Sequence, residues 1–181
     1  RARDLISHFF TDDNTLTGDP LDTVPALERA INAAHSVVRR RFRVSRELIA
    51  WLESLDRRAQ QQRSRQHFEA EVTAGNASLD VVRHPLYPYQ QEGMLHLAFT
   101  GRALLADEMG LGKTVQAIAA CELLRNTQGI RRVLVIAPAS LKGEWEEQIA
   151  KFTDLPAHII QGPRAQRLRQ YDKPAFFYLA N

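Results

Sequence analysis

A single cysteine, Cys121, stands in the 181 residues, and one thiol excludes an internal disulfide. It has no partners at zinc-site spacing, so neither redox nor metal chemistry is expected of it, only service as a small core residue. Long apolar runs are missing too. No stretch reaches the roughly 18 to 20 consecutive apolar residues of a membrane span, and the opening RARDLISHFF lacks the apolar centre and small-residue cleavage site of a signal peptide. The expectation is a soluble, intracellular protein without a membrane segment. Internal repeats and low-complexity tracts are also absent.

What is present suits one or two globular domains, since 44% of the residues are apolar and 25% charged. The net charge of +3 is small but unevenly placed. Residues 39–65 hold nine arginines against Glu47, Glu53 and Asp56. VVRRRFRVSR within that segment suits either a phosphate backbone or the solvated face of a helix, and charge alone does not choose between them.

The first part of the chain reads as helical. Asp22 and Thr23 precede Pro25, and Leu27, Ala30, Ile31, Ala34, Val37 and Val38 then recur at helical spacing, which predicts a helix over about 25–41. Ser45 is an N-cap candidate for a second helix with Leu48, Ile49, Trp51, Leu52 and Leu55 on its face; RRAQQQRSRQ continues it without an apolar stripe. TAGNAS at 73–78, with Gly75 as a C-cap, is the expected domain boundary. This gives an all-α region at 1–78 and a second region at 79–181.

From about residue 80 the pattern alternates. RALLA at 102–106, RVLVIA at 132–137, HII at 158–160 and AFFYLA at 175–180 read as strands separated by helices, which implies an α/β fold with a parallel sheet. The run at 113–124 is apolar around most of its circumference and should be buried against that sheet. A further helix follows APASLKG, with Trp145, Ile149 and Phe152 facing inward.

Between the first predicted strand and the buried helix lies LLADEMGLGKTVQAIA. Gly110 and Gly112 leave main-chain N–H groups accessible at a helix N-terminus, and the helix dipole there favours an anion. Lys113 has the reach and charge for the β and γ phosphates of a nucleotide, and the Thr114 hydroxyl suits Mg2+. A simple phosphate loop carries glycine six positions before the lysine. This chain has Asp107 instead.

DEMGLGKT, residues 107–114, resembles the first motif of the Swi/Snf family, the helicase-like, DNA-translocating ATPases of superfamily two. LYPYQQEGMLHL at 86–97 is similar to the family segment whose glutamine reads adenine, which would be Gln90; an amide both donates to and accepts from that base edge. VLVIAPASLKGEWEEQIAKF at 133–152 is similar to the next motif, making Ser140 and Lys142 candidate contacts to DNA phosphates. HIIQGPRAQRLRQYDKPAFFYLAN follows the family more loosely. The resemblance covers about 82–181 and implies the N-terminal part of a RecA-like lobe. It also implies ATP and Mg2+ as cofactors, Asp107, Glu108, Met109 and Leu111 in the phosphate loop with Gly110 and Gly112, and Lys113 and Thr114 in catalysis. Duplex DNA would be the partner, with a protein complex displaced from it as a further one. Such an enzyme would be cytoplasmic and nucleoid-associated in a bacterium, or nuclear in a eukaryote.

The family's Asp-Glu-x-His, which orients metal and water for hydrolysis, does not occur after the loop. The resemblance therefore implies a fragment that is inactive alone, from a parent that is a DNA-dependent ATPase. Two other readings of the residues remain open: a P-loop phosphotransferase acting on a small molecule, and a non-catalytic Arg-rich docking module.

Overall fold

Residues 6–43 and 45–181 are described by the computed structural model. RARDL of the opening RARDLISHFF and Val44 of the basic stretch lie outside them. The chain divides into two units, Arg1–Gln60 and Gln61–Asn181. The first contains helix α1 (Pro20–Ala33), the short α2 (Ser36–Arg39) and the start of α3 (Arg46–Thr73). The rest holds α4 (Pro88–Phe99), α5 (Lys113–Gln128), strand β1 (Val133–Ile136), α6 (Lys142–Phe152), β2 (Ala157–Ile159), α7 (Arg164–Gln170) and β3 (Phe177–Ala180).

The single helix expected over 25–41 is two helices. Asp19 starts α1 five residues early by accepting the Leu21 N–H at 2.8 Å, with Pro20 at the first helical position. It stops at Ala34, which is extended, and His35 caps α2 in its place. Ser45 caps α3 as its residue type predicts, accepting the Leu48 N–H at 3.1 Å. The far end of α3 closes at Gly75, whose positive φ lets the Gly75 and Asn76 N–H groups turn back to the carbonyls of Val72 and Glu71. The division at Gln60 and Gln61 falls inside α3, earlier than TAGNAS, because Phe68 and Val72 near its end pack with Leu86, Met94, Leu95 and Phe99.

The sheet is three-stranded and entirely parallel, in the order β1-β3-β2. Central β3 is covered best, with Phe177 and Leu179 fully buried. Helix α5 is apolar on opposite sides for a reason visible in its packing. Ala119, Ala120 and Leu123 belong to the cluster made with α4, whereas Ile118 joins Ile149, Phe176, Phe177 and Leu179 on the sheet. Trp145 and Phe152 of α6 pack against that second cluster as their spacing predicts, and so does Cys121. Burial pushes the Cys121 thiol up to about 11, consistent with a packing role.

RALLA at 102–106 is not a strand. No described strand lies alongside to complete its ladder, since β1 pairs only with β3, and Leu104 is 83% exposed. The second unit thus carries a partial RecA-like α/β lobe, preceded along the chain by helices. Among the described residues no helix is long and apolar enough to cross a membrane.

Candidate functional site

The glycine loop of residues 107–112 runs directly into α5. Gly110 and Gly112 have φ of +86° and +78°, in the left-handed region that glycine enters without steric cost. A Cβ at Gly110 would meet nothing within 4 Å, so the loop's tip is open. Met109 beside it is 96% exposed. The first turn of α5 then points its N–H groups and the positive end of its dipole toward this bend. Open amides, a helix of 16 residues and a lysine at its start make an arrangement that fits a polyphosphate.

Lys113 closes the loop from within. Its Nζ donates to the carbonyls of Asp107 and Glu108, both at 2.8 Å. Two main-chain oxygens therefore hold the ammonium that an incoming phosphate would attract. Thr114 is half-buried in the next position.

Gln90 reaches the loop from α4. Its Oε1 accepts the Tyr87 N–H at 3.1 Å and its Nε2 donates to the Leu111 carbonyl at 3.2 Å, so both ends of the amide face protein groups. The fit is close: a Cβ at Gly112 would lie 2.5 Å from Gln90 Nε2. The glutamine expected to read a base thus also braces the glycine turn.

Ser140 is exposed, on a single 3-10 turn (Ala139–Leu141) just past β1. Lys142 differs from the surface contact expected of it. It is 7% exposed, and its Nζ donates to the Ile160 carbonyl at 2.8 Å and to Asn181 Oδ1 at 3.0 Å. Placed at the start of α6, the side chain turns inward because the ends of β2 and β3 offer it acceptors. Arg164 and Arg167 of α7 are basic groups near this edge of the sheet. With Tyr171 and Asn181 they line a cavity of about 260 Å³.

One residue at the loop escaped the sequence reading. Gln116, one turn into α5, is fully buried and donates through Nε2 to Asp107 Oδ2 at 2.8 Å. The signal available was a glutamine set among Val115, Ala117, Ile118 and Ala119, where the pattern calls for an apolar side chain.

The SNF2-related domain family matches residues 45–176. A SWI/SNF-related matrix-associated actin-dependent regulator of chromatin subfamily A-like protein 1 homolog from Caenorhabditis elegans is 42% identical over 85 residues, covering 44% of this chain and 12% of that protein. Chromodomain-helicase-DNA-binding protein 8 of Homo sapiens is 38% identical over 96 residues, covering 50% of this chain and 4% of that protein. Among solved structures, the Sulfolobus solfataricus SWI2/SNF2 ATPase core in complex with dsDNA is 30% identical with a TM-score of 0.49, over 57% of this chain and 23% of that one. The matched chain is therefore a small part of each relative's length.

Proposed function

Because the chain belongs to the SNF2-related domain family, we propose that residues 79–181 are the ATP-holding N-terminal part of the first lobe of a DNA-translocating ATPase, preceded by a helical region up to residue 78. The loop carries this reading: open glycines and a lysine at the N-terminus of a buried 16-residue helix. The amides around Gly110 and Gly112 bind the phosphate tail, and Lys113 exchanges the carbonyls of Asp107 and Glu108 for phosphate oxygens. Glu108, Met109 and Leu111 shape the turn. Thr114 supplies a hydroxyl to Mg2+, which when bound neutralises charge on the phosphates. Gln90 keeps its bonds to the Tyr87 N–H and the Leu111 carbonyl and meets the adenine edge with the second Nε2 hydrogen and the remaining Oε1 lone pair.

Duplex DNA would pass the C-terminal edge of the sheet. Ser140 and the guanidinium groups of Arg164 and Arg167 are exposed or half-exposed there and suit a phosphate backbone, while Lys142 supports that edge from below. The whole protein would use ATP to move along DNA and displace bound protein; in a eukaryotic cell it would do so in the nucleus. No Asp-Glu-x-His follows the loop in these 181 residues, so the chain alone is expected to bind nucleotide weakly at best and not to turn it over.

The test is nucleotide binding by the full-length protein with Mg2+, followed by hydrolysis with and without duplex DNA. ATP binding lost in Lys113→Ala, with the fold retained, is the expected result. Equal ATP affinity in that variant, or hydrolysis indifferent to DNA, refutes the reading.

A further inference from the structure

We propose that Gln116 is a positioning residue for the nucleotide loop, pinning Asp107 so that the loop's start is fixed before ATP arrives. The inference rests on the ATP reading of that loop. Asp107 occupies the position where a simple phosphate loop has glycine, so a carboxylate must be accommodated beside a site for anions. Gln116 accommodates it. From the buried face of α5 its Nε2 takes Asp107 Oδ2 at 2.8 Å, and the same nitrogen lies 3.5 Å from the Leu111 carbonyl that Gln90 holds.

These contacts tie down both ends of the loop and leave its middle loose. Asp107 is held by Gln116 at one end and Leu111 by Gln90 at the other, while Met109 and Gly110 between them touch little. The carbonyl of Asp107 also accepts Lys113 Nζ, so the pinned residue is one of the two that hold the ammonium.

Stability does not explain Gln116. Its Oε1 is buried without a hydrogen-bond partner, a defect that an apolar side chain of the same length would remove. The amide also requires glycine opposite: a Cβ at Gly93 of α4 would lie 1.7 Å from Gln116 Oε1. A buried polar group that leaves an acceptor unmet and constrains a neighbouring helix is better explained by the carboxylate it holds.

The experiment compares the full-length protein with Gln116→Met, which keeps the volume and loses the amide, Asp107→Ala, which loses the acceptor, and Asp107→Asn, which retains one. Amide hydrogen exchange over 107–112 is measured without nucleotide, and KM for ATP and kcat are measured with DNA present. Gln116→Met and Asp107→Ala should each speed exchange in the loop and raise KM about tenfold, with kcat within twofold and melting temperature unchanged or higher. Asp107→Asn should stay within threefold of wild type, and the double variant should be no worse than either single one. Wild-type exchange and KM in Gln116→Met overturn the proposal, as does Asp107→Asn behaving like Asp107→Ala. A wild-type protein that binds no ATP removes the nucleotide reading instead; the exchange rates, which need no nucleotide, then decide the pin by themselves.

Discussion

Two glycines two residues apart should respond very differently to the same substitution. Gly110→Ala and Gly112→Ala both force alanine into the left-handed region, at φ of +86° and +78°, which costs about 1–2 kcal/mol. At Gly110 that is the whole cost, because the added methyl meets nothing within 4 Å. At Gly112 the methyl would lie 2.5 Å from Gln90 Nε2, and Gln90 is itself buried and braced by the Tyr87 N–H. Moving that amide breaks its bond to the Leu111 carbonyl and adds about 1–3 kcal/mol. The bound loop must hold this geometry while a free alanine loop relaxes out of it, so the cost falls on binding; at about 1.4 kcal/mol per tenfold, ATP should bind up to about five- to thirtyfold more weakly to Gly110→Ala. Gly112→Ala should lose a further factor of about five to 150. Titration with a fluorescent ATP analogue, alongside a thermal melt, reads both effects. Equal affinities in the two variants would show that the contact between Gly112 and Gln90 has no energetic consequence; wild-type affinity in both would defeat the reasoning altogether.

Gln90→Ala should reduce discrimination between ATP and GTP; competition binding that finds selectivity unchanged would discard the adenine role. Lys142→Met should lower stability by about 1–3 kcal/mol, because the Ile160 carbonyl loses its buried donor, and should leave the salt dependence of DNA binding alone. A Lys142→Met protein with a normal melting temperature and weakened DNA binding would return that lysine to the DNA surface. The Cys121 thiol, raised to about 11 by burial first and by the nearby Glu122 second, should be roughly one part in a thousand thiolate at pH 8, so thiol-reactive dye should label it slowly unless the protein is unfolded. An unfolded chain loses this proton first, near its ordinary value of about 9, so the thiol's contribution to stability is complete below that pH and is lost as pH climbs toward 11. Fast native-state labelling at pH 8 would contradict the burial.

The residues themselves determined the open glycine loop and those elements that depend on short-range chemistry. Gly110, Gly112 and Lys113 make a loop that suits an anion through local backbone freedom and charge alone. Ser45 capping α3 and Gly75 closing it are decided within a turn of chain, and the two apolar faces of α5 declare its burial before any partner is known. What depended on distant chain was decided only by the tertiary structure. RALLA has the composition of a strand, yet a strand exists only where a neighbour completes its hydrogen bonds, and none of the described strands does. Lys142 looks like a surface cation until Ile160 and Asn181, 18 and 39 positions away, supply buried acceptors. Gln116 reads as an interruption in an apolar helix until the fold sets it against Asp107 and opposite Gly93. Local propensity and charge act over a few residues and are visible in order along the chain; the direction in which a long polar side chain turns is set by whichever distant groups packing brings within 3 Å of it.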